Sequence, residues 1–399
     1  MAAQRHNPIG GGQDGPLRVL ALATLFPNRY APHQAAFNRQ QFTALAGMCR
    51  LALVAPVPWP QRLRGLLCRG PHPPAPFPVC RPVFWYAPRL ARRRHGAWLL
   101  ASAWPALRGL ARVLHPQVLL ANWLFPEGWA GVRAGRRLGL PVVVQVLGSD
   151  LALLSRDPAR LPLLRRTLRE ADAVTVVSEP LRRAVLELGV SPAKVTVLPN
   201  GVDTTRFRPR SRERARRRLG LPSGPLILFV GHLVPVKGVD LLVEALARLG
   251  PEVRLVLVGS GPLEGTLRRR ARALGLEGRL LWAGEVDHAR IPLYLAACDT
   301  LVLPSRSEGE PNVVLEAIAS GRPVVAAAVG GVPGLVRPGE NGLLVPPEDA
   351  GALARALEQV LATAWSPEAI AAGVAGRTWQ ASARRLLQVL RAAAGEARR

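Results

Sequence analysis

The chain has 399 residues, 49% of them hydrophobic, which is enough for two domains each with its own core. Its formal charge of +26 rests almost wholly on arginine, because lysine stands only at Lys194 and Lys237. The basic residues are scattered over most expected helices without a zinc-finger or RNA-binding signature, so nucleic acid is set aside as a partner. The four cysteines form no Cys-x-x-Cys pair and the seven histidines no His-Glu-x-x-His. That spacing excludes a disulfide framework and a familiar zinc site, and it points to a reducing, cytoplasmic setting.

Residues 1–16 are polar and glycine-rich with no apolar run, which reads as a disordered tail and not a signal peptide. Residues 17–205 then alternate between strand and helix patterns. Short apolar runs at 17–23, 50–54, 118–121, 140–146, 173–177 and 195–198 predict buried parallel strands, and 35–46, 127–138 and 180–188 predict helices. Residues 55–90, rich in Pro, Trp and Arg, read as irregular. Residues 89–113 mix Arg92, Arg93, Arg94 and Arg108 with Trp98, Leu99, Leu100 and Trp104. That mixture suits either a basic amphipathic helix on an anionic membrane surface or an ordinary domain helix with an arginine-coated face. Gly148-Ser-Asp150 follows the 140–146 strand, at the end where α/β sheets place ligands. Asp150 is therefore either a site residue or a helix N-cap. No run of about 18 uncharged apolar residues predicts a membrane-spanning helix.

Residues 206–222 are very basic and carry no apolar stripe before Leu219, which predicts a linker. Strand and helix patterns resume over 223–375, and 376–399 predict a C-terminal helix packing back on the first domain. In the second domain the loop 231–238 follows a strand and opens a helix, so its amides can face an anion, with Lys237 beside them. A lysine kept in a chain that otherwise writes arginine suits a diphosphate oxygen. Residues 301–316, Leu-Val-Leu-Pro-Ser-Arg-Ser-Glu-Gly-Glu-Pro-Asn-Val-Val-Leu-Glu, repeat the scheme of strand, turn and helix N-terminus. Pro311 stands where a first helical residue would. Glu308 lies in the turn and Glu316 eight positions on, inside the helix.

Four stretches together resemble the retaining glycosyltransferases of family four, which have the GT-B fold. They are Phe229-Val-Gly-His-Leu-Val-Pro-Val-Lys-Gly238, Glu308-Gly-Glu-Pro-Asn-Val-Val-Leu-Glu316, Pro323-Val-Val with Gly330-Gly-Val-Pro333, and Pro199-Asn-Gly-Val-Asp203 with Glu340-Asn-Gly-Leu-Leu-Val-Pro346. The resemblance covers about residues 17–390. It implies an α/β protein of two doubly wound, Rossmann-like domains facing a cleft, with an acceptor-side domain at 17–205 and a nucleotide-sugar domain at 223–375.

By that resemblance Glu308 would hold hydroxyls of the transferred sugar and Glu316 the ribose hydroxyls. The amides of Asn312, Val313 and Val314 would meet the diphosphate, and Lys237 would neutralise it. Gly231, His232 and Gly309 complete the donor-binding set, with Glu308, Lys237 and Asp150 as the catalytic group. No metal and no cofactor is expected beyond the nucleotide-sugar substrate. The acceptor would be a glycan or a lipid-linked sugar in cell-surface polysaccharide or glycolipid synthesis, and the protein would sit peripherally on the inner membrane face. Three positions depart from the family pattern. His232 replaces a common arginine, Leu147 stands before Gly148 where histidine or arginine is usual, and Ala35 or Ala36 takes the place of a first-loop glycine. A non-catalytic nucleotide-sugar binder and a nucleotide-sugar epimerase are the alternatives on the same fold.

Overall fold

The computed structural model describes residues 15–65, 70–88, 90–148, 151 and 157–396. The first sheet contains β1 (Arg18–Leu22), β2 (Arg50–Val54), β4 (Val79–Cys80), β6 (Val118–Asn122), β7 (Val142–Val146), β8 (Ala173–Val176) and β9 (Val195–Val197). All neighbours are parallel, in the order β4-β2-β1-β6-β7-β8-β9. A small parallel ribbon, β3 (Val57–Pro58) with β5 (Val83–Phe84), flanks it. The second sheet contains β10 (Leu226–Val230), β11 (Arg254–Val258), β12 (Leu280–Gly284), β13 (Thr300–Leu303), β14 (Val324–Ala327) and β15 (Gly342–Val345), also all parallel. Its order, β12-β11-β10-β13-β14-β15, is the doubly wound one.

The strands are continuous apolar runs because helices cover both faces of each sheet. Leu20, Leu120, Val144, Leu228, Leu257 and Leu301 are all at most 1% exposed. Residues 55–90, expected to be irregular, hold β3, β4, β5 and the helix Trp59–Arg64. Their strands are two residues long, too short to show a period.

Residues 206–222 are more than a connector. Ser211 caps a helix, Arg212–Leu219, by accepting from Arg214 N. Ala215 packs on Ala296 and Ala297, and Arg216 bonds Asp299 at 2.8 Å. The helix is therefore part of the second domain. Its apolar contact is Ala215 with the partly buried Leu219, a pair too short to show as a stripe in the sequence.

Of the two readings of 89–113, the helix His95–Leu114 takes that of an ordinary domain helix. Leu99, Leu100, Ala103 and Leu107 on its apolar face are 0–5% exposed within the first core. The stripe meets the domain's own sheet.

The chain crosses between domains twice. Val202 N donates to Arg377 O at 2.7 Å where the two crossings run side by side. The C-terminal helix Trp379–Glu396 then returns to the first domain, where Leu386, Leu387 and Leu390 join a core with Val19, Phe42 and Leu45.

Candidate active site

In an open parallel sheet, ligands bind beyond the carboxyl ends of the strands where the order reverses. In the second domain that point lies between β10 and β13, which are neighbours although two strands separate them in sequence. The loops leaving them are 231–238 and 304–311, so topology alone brings the two candidate stretches together. Lys237 Nζ lies 2.6 Å from Glu308 Oε1, and Ser305 Oγ donates to the same oxygen at 2.6 Å. The Glu308 side chain is only 9% exposed, in a setting where water screens the pair weakly.

Arg306 clamps the two loops. Its backbone N–H donates to Val236 O at 2.8 Å and its Nη1 to Pro235 O at 2.5 Å. Its guanidinium also grips both oxygens of Asp240 at 2.9 and 2.8 Å. That bidentate pair holds the Asp240 carboxyl below its usual value.

The amides of 231–238 are largely engaged, contrary to the expectation of an anion-facing row. Gly231 N donates to Val258 O, Leu233 N to Ser260 O, Lys237 N to Val234 O and Gly238 N to Pro235 O. The loop continues the β10–β11 pairing and rests on the glycine turn after β11. A Cβ on Gly259 would stand 2.0 Å from Gly231 O. His232 is exposed beside this loop. The cationic group of the stretch is therefore the Lys237 side chain.

The helix following the second loop runs Asn312–Ala319, with Pro311 as its N-cap in extended conformation, one residue earlier than expected for the proline. Val314 N donates to Pro311 O at 3.1 Å, so its amide is engaged in the first turn. Asn312 and Val313 keep the amide positions that no helix carbonyl can satisfy. One turn deeper, Glu316 Oε1 lies 2.7 Å from His288 Nε2. His288, which packs on Phe207, is a site residue that the sequence did not announce, since 28 positions separate it from its partner.

Gly309 is where the first domain arrives. A Cβ on Gly309 would stand 2.0 Å from Leu147 O, and one on Gly148 2.3 Å from Gly309 Cα. Gly148 has φ +119°, a conformation open to glycine. The end of β7 and the Glu308 loop therefore meet backbone to backbone. Asp150, two residues on, lies outside the described residues. Ala35 caps the first helix in the left-handed region, φ 48°, the conformation glycine adopts without cost.

Glu310 ties the cleft to both crossings. It accepts from Asn200 N and from Arg377 Nη2, each at 2.5 Å. Burial pushes its carboxyl up, opposed by Arg377 and the Asn200 amide. A cavity of about 1010 Å³ opens beside this region, lined by His33, Ala36, Arg39, Asp203, Arg206 and His288 among others. It reaches the His288–Glu316 end of the site, and neither Lys237 nor Glu308 lines it. The polar constellation at the β10/β13 switch point, and not this cavity, is what marks the candidate centre.

Sequence comparisons agree with this geometry. Residues 211–375 match the model of glycosyl transferases group 1 and residues 65–206 that of glycosyltransferase family 4. A Bacillus subtilis (strain 168) protein assigned to teichuronic acid biosynthesis as the glycosyltransferase TuaC is 30% identical over 88% of this chain and 91% of its own. A GDP-mannose-dependent alpha-(1-6)-phosphatidylinositol monomannoside mannosyltransferase of Mycolicibacterium smegmatis is 37% identical over 62% of this chain and 66% of its own. Among solved structures, Anabaena Alr3699/HepE in complex with UDP superposes with a TM-score of 0.74 at 22% identity, covering 94% of this chain and 100% of that one. With both halves matched by family models and two doubly wound domains meeting at the Glu308 loop, the chain belongs to glycosyltransferase family 4, of the GT-B fold.

Proposed function

We propose that this glycosyltransferase takes its sugar from a nucleoside diphosphate sugar and passes it, with retention of configuration, to a glycan or lipid-linked acceptor in cell-surface polysaccharide or glycolipid synthesis. The observation that carries the reading is the Lys237–Glu308 pair, 2.6 Å apart at the switch point beside a helix N-terminus. The UDP complex of HepE, the GDP-mannose dependence of the mycobacterial relative and the teichuronic acid role of TuaC support the donor class and the setting.

In this reading the bond between the sugar's anomeric carbon and the leaving phosphate breaks, and negative charge grows on that oxygen. Lys237 turns from Glu308 to the diphosphate, joined by the Asn312 and Val313 amides. Fixed positive groups in a closed site lower such a barrier by a few kcal/mol each. Glu308, released, accepts hydrogen bonds from the sugar hydroxyls, and Glu316 from the ribose. The acceptor oxygen attacks on the face the phosphate leaves, and its proton passes to the leaving phosphate oxygen.

Thermal-shift titration with UDP, GDP and their sugars, followed by turnover of a donor panel, tests this. At least one nucleoside diphosphate should raise the melting temperature, since it binds only the folded state. Glu308→Ala should keep that shift yet lower turnover by roughly a hundredfold, the scale for losing one preorganised polar contact. Nucleotide binding with neither transfer nor hydrolysis for every donor would sink the reading.

A further inference from the structure

The two crossings between the domains lie within a few residues of each core. Leu198 packs in the first core and Val202 in the second, and on the return Val374 lies in the second core and Ala383 in the first. Asn200 and Gly201 in one crossing and residues 377–379 in the other therefore join the domains. The crossings touch, since a Cβ on Gly201 would stand 2.3 Å from Trp379 N.

One side chain of the second domain is set into this junction. The Glu310 side chain is 5% exposed. Its Oε2 accepts from Asn200 N and its Oε1 from Arg377 Nη2, and its backbone carbonyl accepts from Asn200 Nδ2 at 3.1 Å. Both carboxylate oxygens are taken up by the crossings, so Glu310 is not a substrate ligand. A buried ion pair gives little net stability over an apolar pair of the same size. What it supplies here is direction, for it fixes where the two preceding residues stand. These are Gly309, on which Leu147 and Gly148 of the first domain rest, and Glu308. The turn at Gly330 and Gly331 backs them. Gly331 N donates to Gly309 O at 2.9 Å, and a Cβ on Gly331 would stand 3.0 Å from Ser178 Cβ of the first domain. The donor-side groups are held within the second domain: Arg306 joins the loops of Lys237 and Glu308, and His288 bonds Glu316.

From this geometry we infer that Glu310 is a positioning residue for transfer: anchored on both crossings, it holds the Gly309 backbone against Leu147, so that the acceptor side of the first domain meets the sugar at Glu308. The inference rests on the transfer reaction proposed above. Water needs no such alignment. In transfer an acceptor oxygen bonds to the anomeric carbon, and in hydrolysis a water oxygen does. In both, the nucleoside diphosphate leaves with the bonding electron pair and its phosphate oxygen takes the proton of the attacking hydroxyl. Loosening Glu310 therefore reduces transfer and spares hydrolysis.

Rates of transfer and of hydrolysis test this, with UDP-glucose and GDP-mannose as donors and octyl glucoside and octyl mannoside as acceptors. Glu310→Gln keeps the side-chain shape and leaves Arg377 without a counter-charge. It should lower kcat for transfer about a hundredfold, the scale for a misplacement of about 1 Å. Hydrolysis and the donor KM should stay within about twofold of wild type, since uniform donor binding is untouched. Arg377→Gln should do the same, and the double variant should be no worse than either single one, because the two side chains act as a unit. Arg377→Lys should retain most of the transfer rate, because one guanidinium nitrogen alone bonds the carboxylate. A merely structural role would lower transfer and hydrolysis together. That outcome, or transfer at the wild-type rate in both Glu310→Gln and Arg377→Gln, overturns the inference. If Glu310→Gln does not fold, the contrast between Arg377→Gln and Arg377→Lys decides. A wild-type protein that transfers to neither acceptor sinks the acceptor class proposed above, and this inference falls with it.

Discussion

Lys237 and Glu308 are 71 positions apart in sequence and 2.6 Å apart in space, and the groups holding them there are single residues with distinct tasks. Gly148 and Gly309 leave room for one backbone to rest on another where the domains meet. A methyl on Gly148 would strike Gly309 Cα and also strain a positive φ. Gly148→Ala should therefore cut turnover about a hundredfold by misplacing the acceptor side. The thermal shift given by a nucleoside diphosphate should be unchanged, because the contacts proposed for it, Lys237 and the Asn312 and Val313 amides, all lie in the second domain. Loss of the shift together with turnover would refute the closure role. Ala35 offers the opposite experiment. It holds a left-handed conformation that costs a non-glycine residue about 1 kcal/mol, so Ala35→Gly should stabilise the first domain, read as a later urea midpoint. An unchanged or earlier midpoint would show that glycine's added freedom in the unfolded chain cancels the gain.

At the scale of elements, the two donor-side loops form one unit because Arg306 bonds Pro235 O, Val236 O and Asp240. The pH dependence of this clamp has a definite sign. Arg306 lowers the Asp240 pKa, so the interaction adds stability above the unfolded carboxylate range, about pH 4, and loses it as pH falls through the depressed value. The gap in melting temperature between wild type and Arg306→Ala should be largest at neutral pH and narrow below that range, leaving what the bond to Pro235 O contributes. A gap that stays constant to low pH would mean that the arginine acts through Pro235 O and packing and not through Asp240. The variant should also raise KM for the donor more than it lowers kcat, since it loosens Lys237 without removing it.

The helix His95–Leu114 shows where pattern reading stops. Its sequence specifies an apolar stripe and an arginine-rich face, and both a bilayer and a sheet accept such a stripe. The helix packs on the first sheet, and that choice is made by the partner surface and not by the stripe.

For the molecule as a whole, the C-terminal helix Trp379–Glu396 makes the first domain depend on the far end of the chain. Leu390 is fully buried against that domain, so Leu390→Ala should cost about 2–5 kcal/mol in chemical denaturation. A loss below about 0.5 kcal/mol would mean that the helix is only loosely docked. Glu310, bonded to Asn200 and Arg377, joins both crossings to the loop carrying Glu308, so a change in domain angle is felt at the site.

By itself the sequence determined the two doubly wound domains, because a buried parallel strand is a local apolar run and each stands in order along the chain. It also marked Lys237 through its rarity, and Glu308 and Glu316 through their spacing around a turn. Only the tertiary structure decided which groups meet. It engaged the amides of Gly231, Leu233 and Val314, set His288 on Glu316 and Arg306 on Asp240, and brought Gly148 down on Gly309. The His288–Glu316, Arg306–Asp240 and Gly148–Gly309 pairings join segments from 28 to over 160 positions apart, and such contacts leave no period in a sequence.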